Sequence, residues 1–189
     1  MTIKNLQITS ASALDLELDI EKPVCVIRGE HSELALDLIR ELIGDYGEEN
    51  DPDRFDDGHF LIHSDIEIEG KNYTVCYIRN ADFMGDNRIA ANFVPNSLDF
   101  SGDDTVEFID KCNVRDKDTS NVFYNRPNEL KKDDDRPIFV YNLDDNDESD
   151  IIKLFDTFAG CGRQVFVAVQ PGCPIITHES VQYSDTNPL

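Results

Sequence analysis

The chain is short of positive charge. Only 17 of its 189 residues are lysine or arginine, against 39 aspartates and glutamates, leaving a formal net charge of −22. Affinity for phosphate backbones comes mostly from Lys and Arg displacing counterions, so direct binding of DNA or RNA is not expected. The same balance disfavours anionic membrane surfaces. Long apolar runs are missing too. No stretch approaches the roughly 18 hydrophobic residues needed to span a bilayer, and the first twenty residues mix charge with hydrophobe where a signal segment would be apolar. A cytoplasmic location without a membrane partner is the expectation. Paired cysteines are also absent. Cys25, Cys76, Cys112, Cys161 and Cys173 are odd in number and widely spaced, with no C-x-x-C, a pattern of reduced intracellular thiols. His31, His59, His63 and His178 do not supply the close ligand pairs that zinc needs. No metal site is expected.

What is present is enough to fold. Apolar residues make up 40% of the chain and aromatics 9%, more than a disordered chain of this charge would carry. The length suits one domain with a sizeable core. We expect a single α/β domain over residues 1–177, with 80–135 as an insertion lobe or loops and 178–189 as a loose C-terminal tail. The acid load falls on residues 1–150; the remainder is nearly neutral.

Periodicity gives the elements. Leu14, Leu16, Leu18 and Ile20 alternate with Asp15, Glu17 and Asp19, the pattern of a strand with one wet face. After Pro23, residues 24–27 form a short run without polar positions, as in a strand covered on both faces. Gly29 ends it, and a helix over 32–43 follows, with Ser32 as N-cap, Leu34, Ala35, Leu38, Ile39 and Leu42 on its apolar stripe, and Gly44 as its stop. Residues 45–58 read as an acidic surface loop. Residues 60–78 read as strands with a hairpin at Glu69, Gly70 and Lys71. A further strand near 89–94 and a short helix over 105–112 precede a polar stretch at 113–135. Residues 138–141 and 165–169 repeat the apolar signature, separated by a helix capped at Ser149 or Asp147 and ended by Gly160 and Gly162. Three such strands with intervening helices imply a parallel sheet between helical layers.

The opening strands, then Pro23-Val-Cys-Val-Ile-Arg-Gly29 and an immediate helix, resemble the start of ABC-type ATPase heads of the SMC and RecF-like group. The resemblance implies a P-loop-NTPase-like α/β fold: a mixed sheet with parallel central strands, flanking helices and an N-terminal antiparallel hairpin region. It places residues 138–142 at the Walker B strand and 165–169 at the strand before the switch histidine. The chemistry of such a head needs G-x-x-x-x-G-K-[ST], whose lysine neutralises phosphate and whose hydroxyl ligates magnesium. Counting from Gly29, those later positions hold Leu34, Ala35 and Leu36, and Glu30 and Glu33 bring negative charge into the loop. Asn142 and Leu143 stand where an aspartate and a catalytic glutamate belong; Asp144 and Asp145 come two positions later. Gln170 stands at the switch histidine, and residues 80–135 contain no L-S-G-G-Q signature. The resemblance thus implies a degenerate Walker A and a pseudo-ATPase, with Gly29, Ser32 and Asn142 as a vestigial phosphate-loop region and with neither catalytic residues nor cofactor.

Other clusters have plainer readings. The acidic run 144–150 lacks the glycine and glutamate of an EF-hand at the required offsets and reads as an acidic start to a helix. Asp51, Asp53, Asp56 and Asp57 read as a solvated turn. His31, Ser32 and Glu33 are neighbours in a helix-start turn, which does not make a catalytic set. Arg79, Arg88, Arg126 and Arg136 are expected to pair with carboxylates. The functional expectation is a non-catalytic, ATPase-like protein-interaction module whose acidic surface steers a basic protein partner. The alternatives are a nucleotide-binding protein with a rebuilt phosphate site, or a weak ATPase.

Overall fold

The computed structural model of the chain describes residues 1–10, 14–44, 59–79, 88–92, 102–113, 122–126, 130 and 134–186. The expected loop at 45–58, with Asp51, Asp53, Asp56 and Asp57, and much of the expected lobe at 80–135 lie outside them.

Two sheets organise these residues. The first is antiparallel. It contains β1 (Thr2–Ile3), β2 (Asn5–Ser10), β3 (Asp15–Asp19), β5 (Phe60–Ile68), β6 (Lys71–Arg79) and β7 (Arg88–Ala91), in the order β3-β2-β5-β6-β7. β1 pairs with β5 beyond the end of β2, so the two are successive pieces of one course along β5, interrupted at Lys4. The β5–β6 hairpin turns through Glu69 and Gly70, at φ 52° and 80°. Positive φ at both central residues is what a tight hairpin of the right twist requires.

The second sheet is wholly parallel: β4 (Val24–Arg28), β8 (Val122–Tyr124), β9 (Ile138–Tyr141), β10 (Val165–Val169) and β11 (Val181–Asp185), in the order β11-β4-β10-β9-β8. The three apolar runs are therefore adjacent parallel strands, as the sequence predicts. Two points differ from expectation. The antiparallel strands form a sheet of their own and do not extend one mixed sheet. The tail is also not loose through residue 185, because β11 completes the parallel sheet beside β4. Its Tyr183 hydroxyl accepts the Ile176 N–H at 3.0 Å and donates to the Ile176 carbonyl at 3.1 Å, which ties the strand to the loop before it.

Period two divides each parallel strand between two cores. Cys25 and Ile27, Phe139 and Tyr141, and Phe166 and Ala168 face the antiparallel sheet and α1 (Ser32–Leu42). Val24 and Val26, Ile138 and Val140, and Val165 and Val167 face α3 (Glu148–Gly160) through Ile151, Phe155 and Phe158. A strand buried on both faces has no room for alternating charge, which is why these runs are continuous. α2 (Asp103–Asn113) packs against β7, its Phe108 ring 5.6 Å from that of Tyr73.

α1 lies between the sheets and carries two buried carboxylates one turn apart. Asp37 accepts the Tyr141 hydroxyl of β9 at 2.6 Å and faces Arg40 at 3.6 Å. Glu41 accepts Tyr77 at 2.7 Å and Arg79 at 2.5 Å, both on β6. Burial, and then the Asp37 charge, holds the Tyr141 phenol far above the ordinary tyrosine range.

Glutamine side chains add a second set of ties. Gln164 accepts the Ile3 N–H and donates to the Ile3 carbonyl, both at 2.7 Å, so its amide stands in for a pairing strand. Gln182 accepts the N–H groups of Glu21 and Lys22 at 2.8 Å each and donates to the Asp19 carbonyl at 2.9 Å. Replacing Gln164 by alanine leaves the main-chain donor and acceptor of Ile3 without this partner in a partly buried setting, a loss of about 1–3 kcal/mol. A urea titration should show a lower midpoint for Gln164→Ala with an unchanged m-value; an unchanged midpoint would mean that water replaces the amide in full.

Candidate functional site: the crevice at the carboxyl end of β4

Open α/β sheets bind ligands beyond the carboxyl ends of their strands. In this chain that end is closed tightly. β4 stops at Arg28 and α1 begins at Ser32. The intervening turn is fixed at both ends: the Gly29 N–H donates to the Val169 carbonyl of β10 at 3.0 Å, and the Ser32 N–H to the Gly29 carbonyl at 3.2 Å. Gly29 has φ 147°, and a Cβ there would lie 1.8 Å from Thr186 Oγ1. Glycine is required at this position because Thr186, just past β11, sits against it.

A crevice of about 330 Å³ opens here, lined by Arg28, Gly29, Glu30, His31, Pro171, Asp185 and Thr186. Its one arginine is engaged. Arg28 Nε and Nη2 reach the two carboxylate oxygens of Asp185 at 2.6 and 2.8 Å. That paired geometry raises the Arg28 pKa and lowers that of Asp185. Glu30 is exposed beside it. The volume lies at the small end of the range for organic ligands, and the local charge does not favour an anion.

The sequence candidates fall in different places. Gly29 and Ser32 share the turn. The expected N-cap role of Ser32 does not hold: His31 occupies that position, without a side-chain bond, and Ser32 is the first helical residue. Its side chain turns inward, is fully buried, and has no hydrogen-bond partner for Oγ among the described residues. Ala35 and Leu36 are also fully buried within the core. Asn142 does not line this crevice. It follows β9, which β10 separates from β4, so it lies two strand spacings away, about 10 Å. It is exposed, left-handed at φ 59° and ψ 38°, and heads a 3-10 turn over Leu143–Asp145. Asp144 in that turn accepts the Gln170 N–H at 3.1 Å. Burial, and then Asp144, pushes the nearby Cys173 thiol up to about 11, which leaves it protonated and unreactive at neutral pH. At the later helix the structure selects Asp147, not Ser149, as N-cap. Among the described residues no group of three or more His, Cys, Asp or Glu is placed to hold a metal ion, and no helix is long and apolar enough to cross a membrane.

Arg28, Asp185 and Thr186 shape this crevice, and sequence reasoning passed over them as site residues. The signal for the latter two was the alternation of Val181 and Tyr183 with polar residues, a short strand pattern at what looked like a chain end.

No family model matches the sequence, and no curated protein matches it. Among solved structures the chain is similar to the SMC head domain from Thermotoga maritima, with 12% sequence identity and a TM-score of 0.54 over 100% of this chain and 99% of that one. The fold is SMC-head-like. It is thereby ABC-ATPase-like in architecture, and at this identity the likeness extends to the fold alone.

Two measurements probe the closed turn. Gly29→Ala should destabilise the protein by about 1–3 kcal/mol, from backbone strain and the clash with Thr186. Thr186→Ala should recover part of that loss in the double variant, so the two changes are non-additive in chemical denaturation. The second measurement concerns pH. The folded pKa of Asp185 lies below its unfolded value, so its contribution is present above the unfolded pKa and fades as pH falls through the folded one. The difference in melting temperature between the native protein and Asp185→Asn should therefore be present at neutral pH and shrink as the pH falls below the ordinary aspartate value of about 3.9.

Proposed function

We propose that this protein is a non-catalytic, degenerate ATPase-like module that works by binding other proteins through its acidic surface. The observation that carries this reading is the turn between β4 and α1. The helix starts at Ser32, so the residues at the lysine and hydroxyl positions of a phosphate loop, Ala35 and Leu36, lie inside it and fully buried. Thr186 occupies the space against Gly29, and Arg28 is taken by Asp185. An anion would meet the exposed Glu30, whose like charge opposes it.

The net charge of −22 supports the partner side of the reading, because a field of this sign speeds encounter with basic proteins and turns away polyanions. Isothermal titration with Mg-ATP should give no saturable heat at millimolar nucleotide, with no phosphate release on long incubation. Saturable micromolar binding would overturn the reading and return the crevice to nucleotide chemistry. Association with a small basic protein should weaken sharply as salt rises from about 0.05 to 0.3 M, as exposed charge interactions do.

A further inference from the structure

We propose that the free edge of β3 is the docking site on that acidic surface, and that it takes an extended basic polypeptide segment as an added strand. This inference rests on the proposed interaction function and deepens it. Its first support is main-chain geometry. β3 is an edge strand: among the described residues it pairs with β2 alone. The Ser10 N–H donates to the Leu14 carbonyl and the Ile20 N–H to the Lys4 carbonyl. In the register that pairs Leu6 with Leu18 and Ile8 with Leu16, the even-numbered residues of β3 are therefore the ones hydrogen-bonded to β2. In an antiparallel ladder the alternate residues direct N–H and C=O away from the partner. Those residues are Asp15, Glu17 and Asp19.

The lower end of this edge already shows what it accepts. Asp19 takes the Gln182 side-chain amide on its carbonyl, at 2.9 Å, and the same amide receives the next N–H groups of the chain. Above that point Asp15 and Glu17 have no such partner among the described residues.

Side-chain placement selects the occupant. Leu14, Leu16 and Leu18 point into the core, while Asp15, Glu17 and Asp19 are exposed on the outer face. None of the three carboxylates has an ion-pair partner among the described residues. They recur every second residue, about 6.7 Å apart. An added strand with Lys or Arg at alternate positions sets cations beside Asp15 and Glu17 across the pair, the cross-strand match that stabilises sheets, while Gln182 keeps the Asp19 end. The same charges reject a second copy of this edge, since carboxylate would face carboxylate. Edge selectivity thus favours a basic partner over self-association.

The test uses the full chain and a short blocked peptide alternating Lys and Val, compared with its isomer carrying the same residues in two blocks. Fluorescence anisotropy at low salt should show the alternating peptide binding about tenfold more tightly than the block isomer. Amide exchange should slow at Asp15 and Glu17 on binding, with no change at Leu16, which is already bonded to β2. The pair of changes Asp15→Lys and Glu17→Lys should abolish the preference. Glu17→Pro should also weaken binding, because it removes an outward N–H that β2 does not use; retained far-UV circular dichroism shows that the sheet persists. Equal binding of the two peptides without protection of Asp15 and Glu17 overturns the edge site while leaving an acidic interaction surface elsewhere. Failure of every basic peptide to bind at low salt overturns both.

Discussion

The buried carboxylates of α1 are the directional tie between the two sheets. The helix lies between a parallel and an antiparallel sheet, and its Asp37 and Glu41 are buried where an unpaired carboxylate would be prohibitively unfavourable. Each is therefore satisfied by a different sheet: Asp37 by Tyr141 of β9, Glu41 by Tyr77 and Arg79 of β6. Their spacing of one helical turn puts both on neighbouring parts of the helix surface, so one helix bonds to both sheets. Apolar packing supplies the bulk of the stability, but it is non-directional. The two carboxylate networks add direction.

That arrangement also decides the shape of the crevice. With α1 fixed, its first turn must meet the end of β4 in a tight link, and Gly29 makes the link by adopting a φ that side chains disfavour. β11 then brings Asp185 and Thr186 over the opening. A phosphate-binding loop would need free N–H groups aimed into open space. Here the Gly29 and Ser32 N–H groups are spent on Val169 and on the turn itself. The frame is SMC-head-like, and Arg28, Asp185 and Thr186 shape the crevice at the end of β4.

Much of this frame was legible in the sequence. The continuous apolar runs at 24–27, 138–141 and 165–169 can satisfy a hydrophobic environment on both faces only in a covered parallel sheet, and they form one. The β3 alternation and the Glu69-Gly70 turn were equally direct. Less legible was anything that depended on long-range partners. β11 is short and flanked by polar residues, and it is held by its pairing with β4, by Tyr183 and by the Gln182 and Asp185 side-chain bonds. Asp37 and Glu41 look like surface residues of an amphipathic helix until the facing tyrosines and Arg79 are known. Ser32 has the residue type of a cap, yet the close turn at Gly29 places it one position inside the helix. Charge alone indicated an acidic surface; the register of β2 with β3 was needed to show which carboxylates border main chain that is unpaired among the described residues.

The central position of β4 carries a consequence for how the chain reaches this state. Both its neighbours follow it by about 140 to 160 residues. During synthesis β2 and β3 can pair as neighbours in sequence, whereas β4 waits for residues 165–185. Loop closure over such a span is slow, and the exposed apolar strand is vulnerable meanwhile.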